Sequence, residues 1–164
     1  MRPRRSLVAL SAAALALVLA GCAPVVTMTP AEFANDPECA AAIVRMPDAL
    51  SSYPLRQTDA QGTAAWGEPT VVLFTCGVPV PGVSDLPCVE IDGIFWLREE
   101  VPAGLAFTTY GRDPAVRVVV DVPEDVDESA IGPGVVLDEL ALPVSYTSAT
   151  GRECVDVEDT VTGR

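Results

Sequence analysis

The sequence predicts an α+β domain: a small, mainly antiparallel sheet, one N-terminal and one C-terminal helix packed on one of its faces, and disulfides bracing the whole. Three observations predict it. Strand-like runs follow one another from Thr70 to Val122, a helix-compatible segment lies on each side of them, and four cysteines remain after an export signal. Alternating strands and crossover helices, the pattern of a parallel sheet, are not seen.

The opening residues come first in the chain. Arg2, Arg4 and Arg5 precede Leu7 to Ala20, a small apolar run interrupted only by Ser11, which is the make-up of a signal-peptide core. A membrane-spanning helix needs roughly 20 apolar residues, and this run ends sooner, at Gly21. Leu19-Ala20-Gly21-Cys22 resembles the bacterial lipoprotein signal, in which small residues precede a cysteine that becomes the acylated mature N-terminus. Cys22 is therefore the expected lipidation site, carrying acyl chains of the palmitate kind, and the domain is expected on the extracytoplasmic face of the cell membrane. Arg4-Arg5-Ser6-Leu7-Val8 also fits a loose twin-arginine pattern, so the export route stays open between the two channels. The chain divides into a leader over 1–21, a lipidated N-terminus and spacer over 22–34, one domain over 35–157, and a flexible tail over 158–164.

Within the domain, Asn35-Asp36-Pro37 offers an N-cap and a first-turn proline, and Cys39 to Met46 is helix-compatible up to Pro47. Cys39, Ala42, Ile43 and Met46 share a face by their spacing. Thr70 to Thr75 is a β-branched and aromatic run bounded by Pro69 and Gly77, which reads as a buried central strand. Pro79, Pro81, Gly82 and Pro87 mark a loop. Val89 to Ile91 and Ile94 to Leu97 flank Asp92-Gly93, the dipeptide suited to a type I′ hairpin turn. Leu105 to Tyr110 and Val116 to Val122 are further strands, separated by Gly111-Arg112-Asp113-Pro114, a turn by composition. In the last strand Val116, Val118, Val120 and Val122 share one face, and Arg117, Val119 and Asp121 the other. The second helix falls within Ser129 to Leu142 and starts after Pro133.

Charge and composition exclude several functions. The chain has 10 basic and 23 acidic residues, no histidine and no lysine; without the first 21 residues the count is 7 against 23, a net −16. Nucleic acid and anionic headgroups are poor partners for such a surface. A Ser-His-Asp or Cys-His triad, a histidine metal site, a Walker lysine and a Schiff-base lysine are excluded, and no cofactor is implied.

Cys39, Cys76, Cys88 and Cys154 read as a disulfide framework, since an exported chain meets oxidising conditions. No C-x-x-C pair exists for a metal or a redox site, and spacing leaves all three pairings open.

The helical cysteine followed by Met46-Pro47, then Ala64-Ala65-Trp66-Gly67-Glu68-Pro69, then Thr70 to Thr75 leading into Cys76-Gly77-Val78, then Asp92-Gly93-Ile94-Phe95-Trp96, together resemble the domain-of-unknown-function family DUF3515 of actinobacterial exported proteins. The resemblance implies a secreted or lipidated single domain with no established activity. It also implies that Cys39 pairs with Cys76, because these two match the family pattern, leaving Cys88 for Cys154.

Among candidate functional residues, Trp66 and Trp96 are the ones a cell-wall sugar ring would stack on. With nine aromatic residues in the chain, burial in a small core is the favoured reading. Gly67 and Gly77 suit backbone geometry at strand ends. Asp121, Glu124, Asp125, Asp127 and Glu128 lack the order of an EF-hand and read as a solvated turn. Glu99 and Glu100 are adjacent on a strand and point to opposite faces, which prevents them from straddling one glycosidic bond. Asp85 and Asp92 are turn residues, and Ser145, Thr147, Ser148 and Thr150 have no histidine or lysine to activate them. The expected function is a non-enzymatic, lipid-anchored envelope protein that binds or helps assemble an envelope protein or cell-wall component. The alternative is a carboxylate-dependent glycan hydrolase or glycan-binding protein.

Overall fold

A computed structural model describes residues 24–121 and 132–154. In chain order the elements are α1 (Pro37–Ile43), β1 (Ala49–Leu50), β2 (Tyr53–Arg56), β3 (Thr63–Trp66), β4 (Val72–Val78), β5 (Cys88–Ile91), β6 (Ile94–Val101), β7 (Gly104–Tyr110), β8 (Arg112–Asp113), β9 (Ala115–Val120), α2 (Pro133–Val144) and β10 (Ser148–Ala149). Eight strands form one antiparallel sheet in the order β1-β2-β3-β4-β9-β7-β6-β5, and β8 pairs with β10 beside it. This is the disulfide-braced α+β fold that the sequence predicts.

The period-2 alternation of the central strands divides the sheet into two unlike faces. Val72, Phe74 and Cys76 on β4 stand beside Val120, Val118 and Val116 on β9, and all six are buried. Trp66, Phe107, Ile94 and Trp96 complete this layer, and Val136, Leu137, Leu140, Ala141 and Val144 of α2 close it. The helix stripe follows from the spacing of those five residues, which repeats on one side of a 3.6-residue helix. Cys39 of α1 enters the same core through its bond to Cys76. Both helices therefore cover one face.

Local chemistry places the helix ends. Asp36 caps α1, its carboxylate accepting from Glu38 N at 2.8 Å, and Pro37 occupies the first turn. The helix ends at Ile43, ahead of the predicted Pro47; Arg45 and Met46 donate instead to Ala42 and Ile43, tighter turns that suit a chain approaching a proline. α2 begins at Pro133 with Gly132 as its cap. Asp92 (φ 47°) and Gly93 (φ 74°) make the predicted hairpin turn between β5 and β6.

Four features differ from the sequence reading. The central strand starts at Val72 and runs on through Cys76-Gly77-Val78. β1, β2 and β3 were not predicted, because two to four residues rich in alanine or proline carry little strand signal. Arg112–Asp113, a turn by composition, is a short strand because Ser148–Ala149 pairs with it from 35 residues away. The supposed spacer is held: Val26 bridges to Thr58, Arg56 Nη2 donates to Pro24 O at 2.7 Å, and Phe33 N donates to Gly77 O at 2.9 Å.

Candidate functional site

Among the described residues, no helix lies over the second face of the sheet. Its side chains include Leu97 and Glu99 on β6, Thr108 on β7 and Arg117 on β9, and the 79–87 loop folds across them. Between loop and sheet lies a cleft of about 490 Å³. Pro79, Pro81, Val83 and Leu86 supply its apolar wall, and Leu97 the apolar part of its floor.

The polar part of the floor is set by register. Thr108 lies between Leu97 and Arg117 in one cross-strand row, and Ala106 lies beside Glu99 in the next. Because the buried Ala106 has only a methyl group, Arg117 can lie diagonally across β7 to reach β6. There Arg117 Nη2 meets Glu99 Oε2 at 2.9 Å, while Nη1 donates to Thr108 Oγ1 at 3.3 Å. The pair's side chains are 34% and 45% exposed, so it contributes under about 1 kcal/mol to stability. Both residues line the cleft, where a partly exposed guanidinium and carboxylate can offer donors and acceptors to the polar end of a ligand.

The wall is fastened from behind by the C-terminal segment. Cys88, where the loop meets β5, is bonded to Cys154. Arg152 Nη1 donates to Pro81 O at 2.9 Å, and Arg98 N donates to Pro87 O at 2.8 Å. The segment passes close over Gly111, with Thr150 N donating to Gly111 O at 2.9 Å; a Cβ on Gly111 would run into the Arg152 carbonyl. Arg112 Nη1 holds Thr147 O at 2.7 Å, and burial pulls the Arg112 guanidinium below its ordinary pKa. Three prolines and these ties leave the wall little conformational freedom to lose on binding.

The family model described as "Protein of unknown function (DUF3515)" matches residues 6–155. The chain belongs to the DUF3515 family. No match is found among curated proteins or among solved structures.

In this DUF3515 protein both bridges form as the resemblance implied: Cys39 with Cys76 at a Cα–Cα distance of 5.5 Å, and Cys88 with Cys154 at 5.8 Å. The Cys39–Cys76 pair braces the core and the Cys88–Cys154 pair straps the cleft. Stacking on Trp66 or Trp96 is corrected by their burial, since neither exposes any surface. Trp66 lies on the helix-covered face and donates from Nε1 to Pro47 O at 3.1 Å; Trp96 Nε1 has no partner among the described residues.

Glu99 and Glu100 do point to opposite faces, Glu99 to Arg117 and Glu100 to Arg98 at 3.1 Å. Asp92 sits in its turn and Asp85 in the exposed loop. Ser145 and Thr147 donate to backbone carbonyls of α2, and Ser148 Oγ lies 2.6 Å from Glu38 Oε1. Gly67 (φ 91°) and Gly77 (φ 89°) take backbone conformations that favour glycine. Cys22, Val122, Glu124, Asp125, Asp127 and Glu128 lie outside the described residues. Among those described, no group of three carboxylates or cysteines is placed to hold a metal, and no helix is long and apolar enough to cross a membrane.

The cleft itself escaped the sequence reading. Its available signals were the proline-punctuated loop after Val78 and an arginine alternating with valines in β9, and only contact between them makes a site.

Proposed function

We propose that this chain is a lipid-anchored cell-envelope protein, acylated on Cys22, whose cleft binds an envelope component without catalysing a reaction. The single observation that carries the binding role is the strapped cleft: an apolar wall fixed by a disulfide and an arginine over a floor with one polar end. Support for the compartment comes from the arginines, apolar run and Leu19-Ala20-Gly21-Cys22 box of the leader, and from two disulfides, which persist in oxidising surroundings. A glycan hydrolase has less support. Among the described residues one carboxylate lines the cleft, Glu99, and it is paired with Arg117.

The test uses protein beginning at Ala23, immobilised and exposed to cell-wall fragments and to membrane-protein extracts. Val83, fully exposed on the wall, becomes aspartate in one variant, and Arg117 becomes glutamine in another. Retention by the parent that both variants lose is the expected result. Retention of nothing, or retention indifferent to both changes, removes the cleft from the function.

A further inference from the structure

The attachment point of the domain is defined more narrowly than a spacer would allow. Pro24 O accepts from Arg56 Nη2 at 2.7 Å, and the same guanidinium donates from Nη1 to Gly67 O at 3.0 Å. Val26 N donates to Gln57 O at 2.9 Å, Asp59 N to Val26 O at 3.3 Å, and Met28 N to Asp59 Oδ1 at 2.8 Å. Pro24 is thus fixed to the end of β2 by side chain and backbone together. Only two residue steps separate it from Cys22, a reach of at most ~7 Å. Val25, beside the fixed proline, is 49% exposed.

We infer that the domain lies against the bilayer with its Pro24, Val25 and Arg56 corner at the lipid surface. This rests on the reading of Cys22 as the lipidated residue. The cause is tether length and not charge, for a net −16 gives no attraction to anionic headgroups. A single register row relates this corner to the cleft: Arg56, Ala65, Leu73, Val119, Ala106 and Glu99 are successive cross-strand partners on one face. Five strand spacings place Glu99 about 24 Å from Arg56. The cleft consequently stands about 24 Å from the anchored corner, within reach of ligands that project from the membrane.

The experiment uses the full chain, lipidated in a bacterial host, extracted and reconstituted in phosphatidylcholine vesicles whose headgroups carry a nitroxide quencher. Val25→Trp reports the corner and Val83→Trp the exposed cleft loop, against the two buried native indoles. V25W is expected to lose roughly half its added emission, its indole lying within ~10 Å of chain from the lipidated residue, whereas V83W keeps nearly all of its own. A Gly/Ser insert of about 20 residues between Ala23 and Pro24, with a mean span of ~25 Å, is expected to restore the V25W emission while vesicle flotation persists. Equal quenching at both positions in acylated, floating protein overturns the inference and leaves the anchor standing. V25W that stays quenched with the insert overturns tethering as the cause. Protein of unacylated mass that does not float removes the anchor, and the inference with it.

Discussion

Removing each disulfide in turn separates two ways in which a bridge stabilises a fold. The bridges span 37 and 66 residues. On the chain-entropy model these separations give about 3.8 kcal/mol for Cys39–Cys76 and about 4.4 kcal/mol for Cys88–Cys154, so loop length alone ranks the second bridge higher. Burial acts the other way. Cys39 and Cys76 are fully buried among Trp66, Phe74 and Leu140, whereas Cys88 and Cys154 are partly open to water. Replacing two buried sulfurs by alanine methyl groups removes core contacts and leaves a small void, a further ~2 kcal/mol, while water takes the place of the outer pair. The expected losses are therefore about 6 kcal/mol for C39A/C76A and about 4 kcal/mol for C88A/C154A, against the 5–15 kcal/mol typical of a whole domain. Equilibrium urea unfolding of protein beginning at Ala23 measures both, with an osmolyte added if the first variant has no folded baseline. A C88A/C154A variant at least as destabilised as C39A/C76A would refute the assignment of the inner bridge to the core.

Gly77→Ala should cost about 3 kcal/mol or more in thermal melts, because φ is 89° and the added Cβ falls on the Phe33 and Ala34 backbone; Gly93→Ala, also at positive φ but in open space, should cost only about 1 kcal/mol. Trp66→Phe should be more destabilising than Trp96→Phe by about 1 kcal/mol, since only the Trp66 indole N–H gives up a partner among the described residues; equal losses on urea titration would contradict this. Asp36→Ala should lower stability by about 1 kcal/mol through loss of the α1 cap, read from the same titration. Mild thiol treatment of the folded protein should open Cys88–Cys154 before Cys39–Cys76, seen by alkylation and peptide mass, because the outer sulfurs admit the reagent and the inner ones do not; simultaneous opening would show that the core is not closed.

How much was legible in the sequence follows the range of the interactions. The β5–β6 hairpin was readable because Asp92-Gly93 carries its own turn geometry, and α1 because Asp36 and Pro37 fix its start within one turn. The two faces of β9 were readable from alternation alone. β8 was hidden because its partner is distant and its composition belongs to a turn. The cleft was hidden for the same reason on a larger scale: the loop, the strap and the floor come from 79–87, 150–154 and three strands, and no local pattern says that they meet. Trp66 shows that composition, rather than position, was the better guide. A chain with nine aromatics places its indoles where they bury most surface.

The sheet has two faces, and among the described residues two helices, of 7 and 12 residues, are both spent on one of them. The other face could have been left to water, as antiparallel sheets often are. Instead a proline-rich loop is laid over it and fastened by the Cys88–Cys154 disulfide and by Arg152, which is more restraint than solvation requires. That restraint lowers the ordering cost of binding, yet the floor offers a single half-exposed ion pair, so the intrinsic affinity of such a cleft is modest. The proposed attachment to the bilayer through Cys22 would resolve the disparity. Under that proposal a ligand confined to the same membrane would meet the cleft at a raised effective concentration, and a weak preformed site would then be occupied without further contacts. Under the proposed anchoring the short tether and the second bridge would serve the same end, one by supplying concentration and the other by supplying shape.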